Sequence, residues 1–207
     1  MALIKAGNGS SLSGLVGSVV VVQTKNGSYM RSAPIYTESS WTEKQRAHRQ
    51  RFKKISKFCT QFKNTVISQI WNDADERMSG RALFLKTNMA AFSPEGELTD
   101  PAKLQLSTGM LNLPVGLNIS RVEGENNSVR VSWAKDNSAA VRDGLMVVSA
   151  GEGVYSEILD TGILRSSLGG TFQLPEIPAS ATHLYLFFAS RNRRSYSGSE
   201  CLALDMN

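Results

Sequence analysis

The chain has 207 residues, 41% of them apolar and 20% charged, and a formal net charge of +5. This is the composition of a globular protein with one large domain or two modest ones, and it excludes disordered, collagen-like and disulfide-framework chains. No apolar run approaches the roughly 20 residues that a membrane-crossing helix needs. The first ten residues lack an apolar signal-peptide core, so the expected location is cytoplasmic, with particle association or a non-standard export route left open.

The opening Gly7-Asn8-Gly9-Ser10-Ser11 reads as a polar lead-in. Leu15–Val22 is a β-branched run, Asn26-Gly27 is a strong hairpin-turn signal, and Tyr29–Ser32 supplies a return strand before Pro34. An N-terminal β-hairpin is therefore expected. Thr42, with Gln45 three residues on, forms a capping-box pattern. Phe52, Ile55, Cys59, Phe62, Val66 and Ile70 follow at helical spacing, so a helix is expected over 42–70. Asn72-Asp73-Ala74-Asp75 interrupts it. Met78, Ala82, Leu85, Met89 and Phe92 then mark a second helix that stops at Ser93-Pro94. The two apolar stripes can pack as a helical hairpin or lie on the N-terminal strands.

Residues 93–116 are a connector rich in proline and glycine, in which Lys103–Ser107 alternates like a short strand. A boundary near 115 divides the chain into 1–115, the hairpin and helical pair, and 116–207. Strands are expected at Leu117–Val122, Ser128–Ala134, Leu145–Ala150, Val154–Leu159, Gly170–Leu174, Thr182–Ser190 and Glu200–Asp205, with turn residues between them. Their inward set is Val129, Val131 and Trp133 against Leu184, Leu186 and Phe188 or their alternates. The fold class is α+β: a hairpin and helical pair followed by a β-sandwich.

Two resemblances follow from these residues. Val129-Arg130-Val131-Ser132-Trp133, Leu174-Pro175-Glu176-Ile177-Pro178 and Thr182–Ala189 make the segment from Ser128 to Leu204 similar to a fibronectin type III or immunoglobulin-like module. That resemblance implies a tyrosine-corner role for Tyr185. Ser13–Val20, Gly27–Pro34, Thr42, Gln45, Arg49, Phe52 and Leu106-Ser107-Thr108-Gly109 resemble, in order along the chain, a family of Bacteroidetes proteins known as a domain of unknown function. The family implies one continuous architecture and brings no activity or site residues with it.

Catalytic and metal patterns fail on spacing. Gly9–Gly14 has P-loop glycine spacing, but Leu15 stands where the phosphate-binding lysine belongs. His48 and Cys59 are separated by about 16 Å along one helix, beyond nucleophile–base reach. His183 begins a predicted strand, and two histidines with two scattered cysteines make no zinc set. Asp73, Asp75 and Glu76 lack the spacing of a hard-metal loop. Cys59 and Cys201 sit at apolar-patterned positions and read as buried free thiols, which suits a reducing compartment. No cofactor and no catalytic residue is assigned.

Charge is the better lead. Residues 41–64 hold eight Lys or Arg against Glu43 alone, a net +7 that exceeds the charge of the whole chain. Arg46, Arg49, Lys53 and Lys57 form a basic stripe beside the apolar one, and Arg191, Arg193 and Arg194 sit in the last predicted interstrand loop. These seven are the candidate contacts to an anionic partner. The expected function is a non-enzymatic interaction or structural protein, a component of a larger phage-like or surface assembly, with a protein partner or further copies of itself. The alternative is a nucleic-acid-binding accessory protein that uses the basic helix 42–70.

Overall fold

A computed structural model describes residues 2–4, 13–24, 27–35, 37, 41–125, 127–135, 142–176 and 180–204. The lead-in 7–11, most of the P-loop-like segment, the first half of the Lys25–Ser28 turn and Ile177-Pro178 lie outside the described residues. The protein is α+β, with three helices and three antiparallel sheets among the described residues.

The expected N-terminal hairpin is part of a larger, four-stranded sheet. Its strands are β1 (Ala2–Ile4), β2 (Gly14–Val16), β3 (Val19–Thr24) and β4 (Gly27–Ser32), in the order β1-β4-β3-β2. The run Leu15–Val22 folds back on itself because Gly17 adopts φ +60, a left-handed conformation open to glycine, and brings Val16 opposite Val19.

The first helix ends earlier than its stripe. α1 spans Glu43–Thr60, and a turn at 61–65 separates it from α2 (Val66–Gln69). The capping box forms: Gln45 N donates to Thr42 Oγ1 at 3.3 Å, and Thr42 N donates to Gln45 Oε1 at 2.9 Å. Ile55, Cys59, Phe62, Val66 and Ile70 are all buried, so the stripe survives the break in the helix, whereas Phe52 remains 45% exposed. A 3₁₀ turn at Trp71–Asp73 leads to α3 (Gly80–Asn88), whose N-cap Ser79 accepts from Ala82 N. In the second stripe Leu85 and Phe92 are buried and Met89 packs against the core as expected, but Ala82 is exposed, and Phe84 and Asn88 widen the inward face. Gly80 is pressed against the Trp71–Asn72 backbone, where a Cβ would collide, and this close approach orients the helix.

The connector forms no strand at Lys103–Ser107. It makes a 3₁₀ turn at Pro101–Lys103 and then runs extended, with Leu104 and Leu106 fully buried. Beyond it lie β5 (Asn118–Arg121), β6 (Ser128–Ser132), β7 (Gly144–Gly151), β8 (Val154–Tyr155), β9 (Leu159–Leu164), β10 (Gly169–Gln173), β11 (His183–Ala189) and β12 (Glu200–Ala203). The strand expected at Val154–Leu159 is two strands, β8 and β9, both paired with β7. β10-β6-β5 form one sheet and β12-β11-β7-β8, with β9, the other.

The two sheets share a core of Val129, Val131, Trp133, Phe172, Leu145, Val147, Leu184, Leu186 and Phe188. The helical stripes pack on the other face of the second sheet, against Met146, Val148, Ala150, Tyr185, Phe187 and Ala189. The two stripes pack on each other as well as on the sheet, with Phe62 5.4 Å from Phe84 and Phe58 5.0 Å from Phe92 between ring centres, whereas among the described residues none of the N-terminal strands belongs to this core. β7 and β11 are thus covered on both faces, which explains their nearly continuous apolar runs. Each fully buried large side chain there stabilises the fold by about 1.5–3 kcal/mol. Residues on both sides of position 115 contribute to the helical core.

Candidate functional site

Helix α1 divides into two parts. Every residue from Thr42 to Gln50 is exposed, and inward burial begins at Ile55. Its amino-terminal turns therefore rest on local terms: the capping box, Glu43 in the first turn, and the continuity of the helix with its packed half. Arg46, Arg49, Lys53 and Lys57 are all exposed on this helix. At 100° per residue they fall within an arc of about 80°, roughly opposite the buried pair Ile55 and Cys59. The arc from Arg49 round to Gln50 also holds Thr60 and no apolar residue.

Other cations of the same segment are used within the fold. Arg51 Nη2 donates to the carbonyls of Met89 at 3.2 Å and Phe92 at 3.0 Å, which ties α1 to the end of the α3 segment. Lys54 pairs with Glu97 at 2.6 Å. Arg81 of α3 reaches back to Ser56 O and Oγ, both at 2.8 Å. Arg51 lies four residues before Ile55, so its helical position already marked it as facing the body. Arg49 stacks over Trp41, its Cζ 4.0 Å from the ring centre, and holds that side chain against the helix. With His48, Gln50, Phe52, Lys53 and Ser56, Arg49 borders a shallow groove.

Arg191, Arg193 and Arg194 are exposed on the β11–β12 loop. Arg193 adopts φ +55 and pairs with Asp160. Arg193, Arg194 and Tyr196 line a cleft with Gln69, Asp73 and Met110, separate from the groove beside Arg49 and Lys53. The loop is held from below: Ser107 Oγ donates to Ser197 O at 2.6 Å, Leu106 N donates to Ser199 Oγ at 2.9 Å, and Leu111 N donates to Tyr196 O at 3.0 Å.

Tyr185 does not make a short-range tyrosine-corner bond. Its hydroxyl donates to Pro101 O in the connector at 3.1 Å, because Tyr185 points toward the helices. Tyr155 and Cys201 lie beside it, and burial pushes the Tyr155 phenol up to about 12. Cys59 is fully buried and Cys201 partly so, both as free thiols; burial pushes Cys59 up to about 11 and raises Cys201 as well. High thiol and phenol pKa values of this origin belong to inert, neutral groups rather than to nucleophiles. His183 Nδ1 lies 2.9 Å from Thr182 Oγ1 at the start of β11. Asp75 Oδ1 caps the turn before α3 by accepting from Arg77 N at 2.6 Å and Met78 N at 2.9 Å.

The sequence carried no signal for the buried pair of Arg165 and Asp143. Arg165 Nε lies 3.7 Å from Asp143 Oδ2, its Nη2 donates to Asn112 O at 2.6 Å, and its Cζ sits 4.4 Å from the Phe188 ring centre. Trp133 Nε1 donates to the Arg165 carbonyl at 3.1 Å, so this cluster closes one end of the two-sheet core. Among the described residues no helix is long and apolar enough to cross a membrane. No family model and no curated protein matches the chain.

Proposed function

We propose that this protein is a non-enzymatic structural component that assembles with further copies of itself through its N-terminal four-stranded sheet. In this reading the C-terminal half is an immunoglobulin-like or fibronectin type III-like scaffold. Support for the scaffold comes from eight antiparallel strands among the described residues, three in one sheet and five in the facing one, with Val129, Val131 and Trp133 opposite Leu184, Leu186 and Phe188.

The observation that carries the assembly reading is the exposure of β2. Leu15 is 69% and Val16 58% exposed, and as neighbours in a strand they project from opposite faces of the sheet. Val21 is the one buried apolar residue of the sheet among those described, and it belongs to neither core. Around it Val19, Val20, Val22, Tyr29 and Met30 are only half-buried, so apolar surface that would help to offset the roughly 1–2 kcal/mol cost of ordering each strand residue remains in water. β2 is also an edge strand without charge or proline, the devices that normally prevent edge-to-edge pairing.

Light scattering coupled to size exclusion over a hundredfold concentration range tests this reading. The expected result is a mass that is a multiple of 22.6 kDa for the native sequence. The double variant Leu15→Lys and Val16→Lys is expected to run as a monomer with unchanged circular dichroism. A native chain that remains monomeric throughout the range overturns the proposal.

A further inference from the structure

We propose that the outward face of α1 binds the phosphate backbone of a nucleic-acid duplex. The inference uses the helix and not the N-terminal sheet, so it stands independently of self-assembly. Between Lys44 and Asn72 the chain contains no Asp or Glu. The stripe Arg46, Arg49, Lys53 and Lys57 thus has no carboxylate on its own helix beyond Glu43. Its spacing makes three like-charge pairs, at i,i+3 once and i,i+4 twice. Each destabilises a helix by about 0.2–0.5 kcal/mol, a penalty that an anionic partner reverses. The cations turned toward the body are already used, Lys54 by Glu97 and Arg51 by the Met89 and Phe92 carbonyls.

The chemistry of the arc selects the class of partner. Arg46, Arg49, Gln50, Lys53, Lys57 and Thr60 occupy it without an apolar side chain. Protein interfaces are anchored by apolar or aromatic residues at their centre, whereas here the exposed ring, Phe52, lies outside the arc, about 60° round the helix from Arg49. A duplex backbone demands charge and hydrogen-bond donors alone, and it presents one negative charge per about 1.7 Å of axis. The stripe runs about 16 Å from Arg46 to Lys57, long enough to meet several phosphates. The exposed amino-terminal turns of α1 are slim enough, at about 10–12 Å across, to lie in the major groove of B-form DNA, about 12 Å wide, whereas an RNA duplex would be met across its backbone alone. With contacts of this kind, binding is independent of base sequence.

Fluorescence anisotropy with labelled 24-base-pair DNA and RNA duplexes, at 50 and 200 mM salt, tests the proposal on the full chain. Four phosphate contacts predict a log–log salt slope near −3.6, or roughly a 150-fold loss of affinity between those concentrations. Arg49→Glu with Lys53→Glu is expected to halve the slope and weaken binding at least tenfold, by about two phosphate contacts. Both side chains are exposed, so circular dichroism remains that of the native chain, and Lys86→Glu on α3 leaves binding unchanged. Comparison of the two duplexes identifies which backbone is preferred. Absence of binding at 50 mM salt, binding indifferent to the double variant, or displacement by poly-glutamate as effective as by unlabelled duplex overturns the proposal. Retention of duplex binding by the Leu15→Lys and Val16→Lys chain separates this result from the assembly experiment.

Discussion

Asn88 and Gln105 exchange two hydrogen bonds in the manner of neighbouring strands. Asn88 Nδ2 donates to the Gln105 carbonyl at 2.9 Å, and Gln105 N donates to Asn88 Oδ1 at 2.6 Å. The same amide also donates to Phe84 O at 3.0 Å, and the side chain is fully buried. One side chain therefore supplies the backbone partners that the connector lacks for want of a strand.

Replacing Asn88 by Ala leaves the Gln105 amide and carbonyl without these partners in a buried setting. The expected loss is about 2–4 kcal/mol, from two orphaned groups and a small cavity. Urea denaturation is expected to show a lower midpoint at unchanged slope. Asn88→Leu, which fills the volume without restoring the bonds, is expected to recover little.

The buried Arg165–Asp143 pair makes a second prediction. Asp143→Leu removes the carboxylate 3.7 Å from a guanidinium that stays buried beside Phe188 and is expected to cost about 3–5 kcal/mol. Arg165→Met combined with Asp143→Leu removes both charges, and thermal denaturation is expected to recover most of the loss. A double variant as unstable as the single one would mean that the hydrogen bond to Asn112 matters more than charge.

Gly109 approaches the backbone of Tyr196 so closely that a Cβ would collide with the carbonyl oxygen. Gly109→Ala is expected to displace the β11–β12 loop, since neither partner is a flexible side-chain end. The readout is faster amide exchange at Leu111, whose N–H is bonded to Tyr196 O.

Alkaline pH is expected to destabilise the fold. Cys59 and Tyr155 have folded pKa values of about 11 and about 12, raised by burial above their usual values near 9 and 10. Above its unfolded pKa each group binds more protons in the folded chain than in the unfolded one, so stability falls as pH rises through that window. Below pH 9 both contributions are fully present. Denaturant midpoints measured from pH 8 to 12 are expected to decline, with Cys59→Ala flattening the 9–11 portion and Tyr155→Phe the 10–12 portion.

The legible parts of the fold were those with a local cause. Thr42 and Gln45 sit three residues apart and satisfy each other's backbone wherever the helix points. Val129, Val131 and Trp133 alternate with exposed neighbours, so their shared face follows from the pleat of one strand. The positions of Arg46, Arg49, Lys53 and Lys57 follow in the same way from helix geometry. What the sequence alone could not decide was which surface each pattern meets. Arg51, Lys54 and Arg49 look alike in a list of basic residues, yet one holds two carbonyls, one pairs with Glu97, and one stacks on Trp41.

Tertiary structure decided the rest through long-range contacts. Tyr185 and Phe187 share a strand with Leu184 and Leu186, and only the helices packed on the far face of β11 bury both sets. Leu106-Ser107-Thr108-Gly109 has no periodic meaning, because its role is set by Ser197, Ser199 and Tyr196 some 90 residues away. Composition and local spacing thus determined an α+β chain with a capped basic helix and alternating strands. Which sheet the helices cover, and which face of α1 remains in water, depended on contacts that no short window of sequence contains.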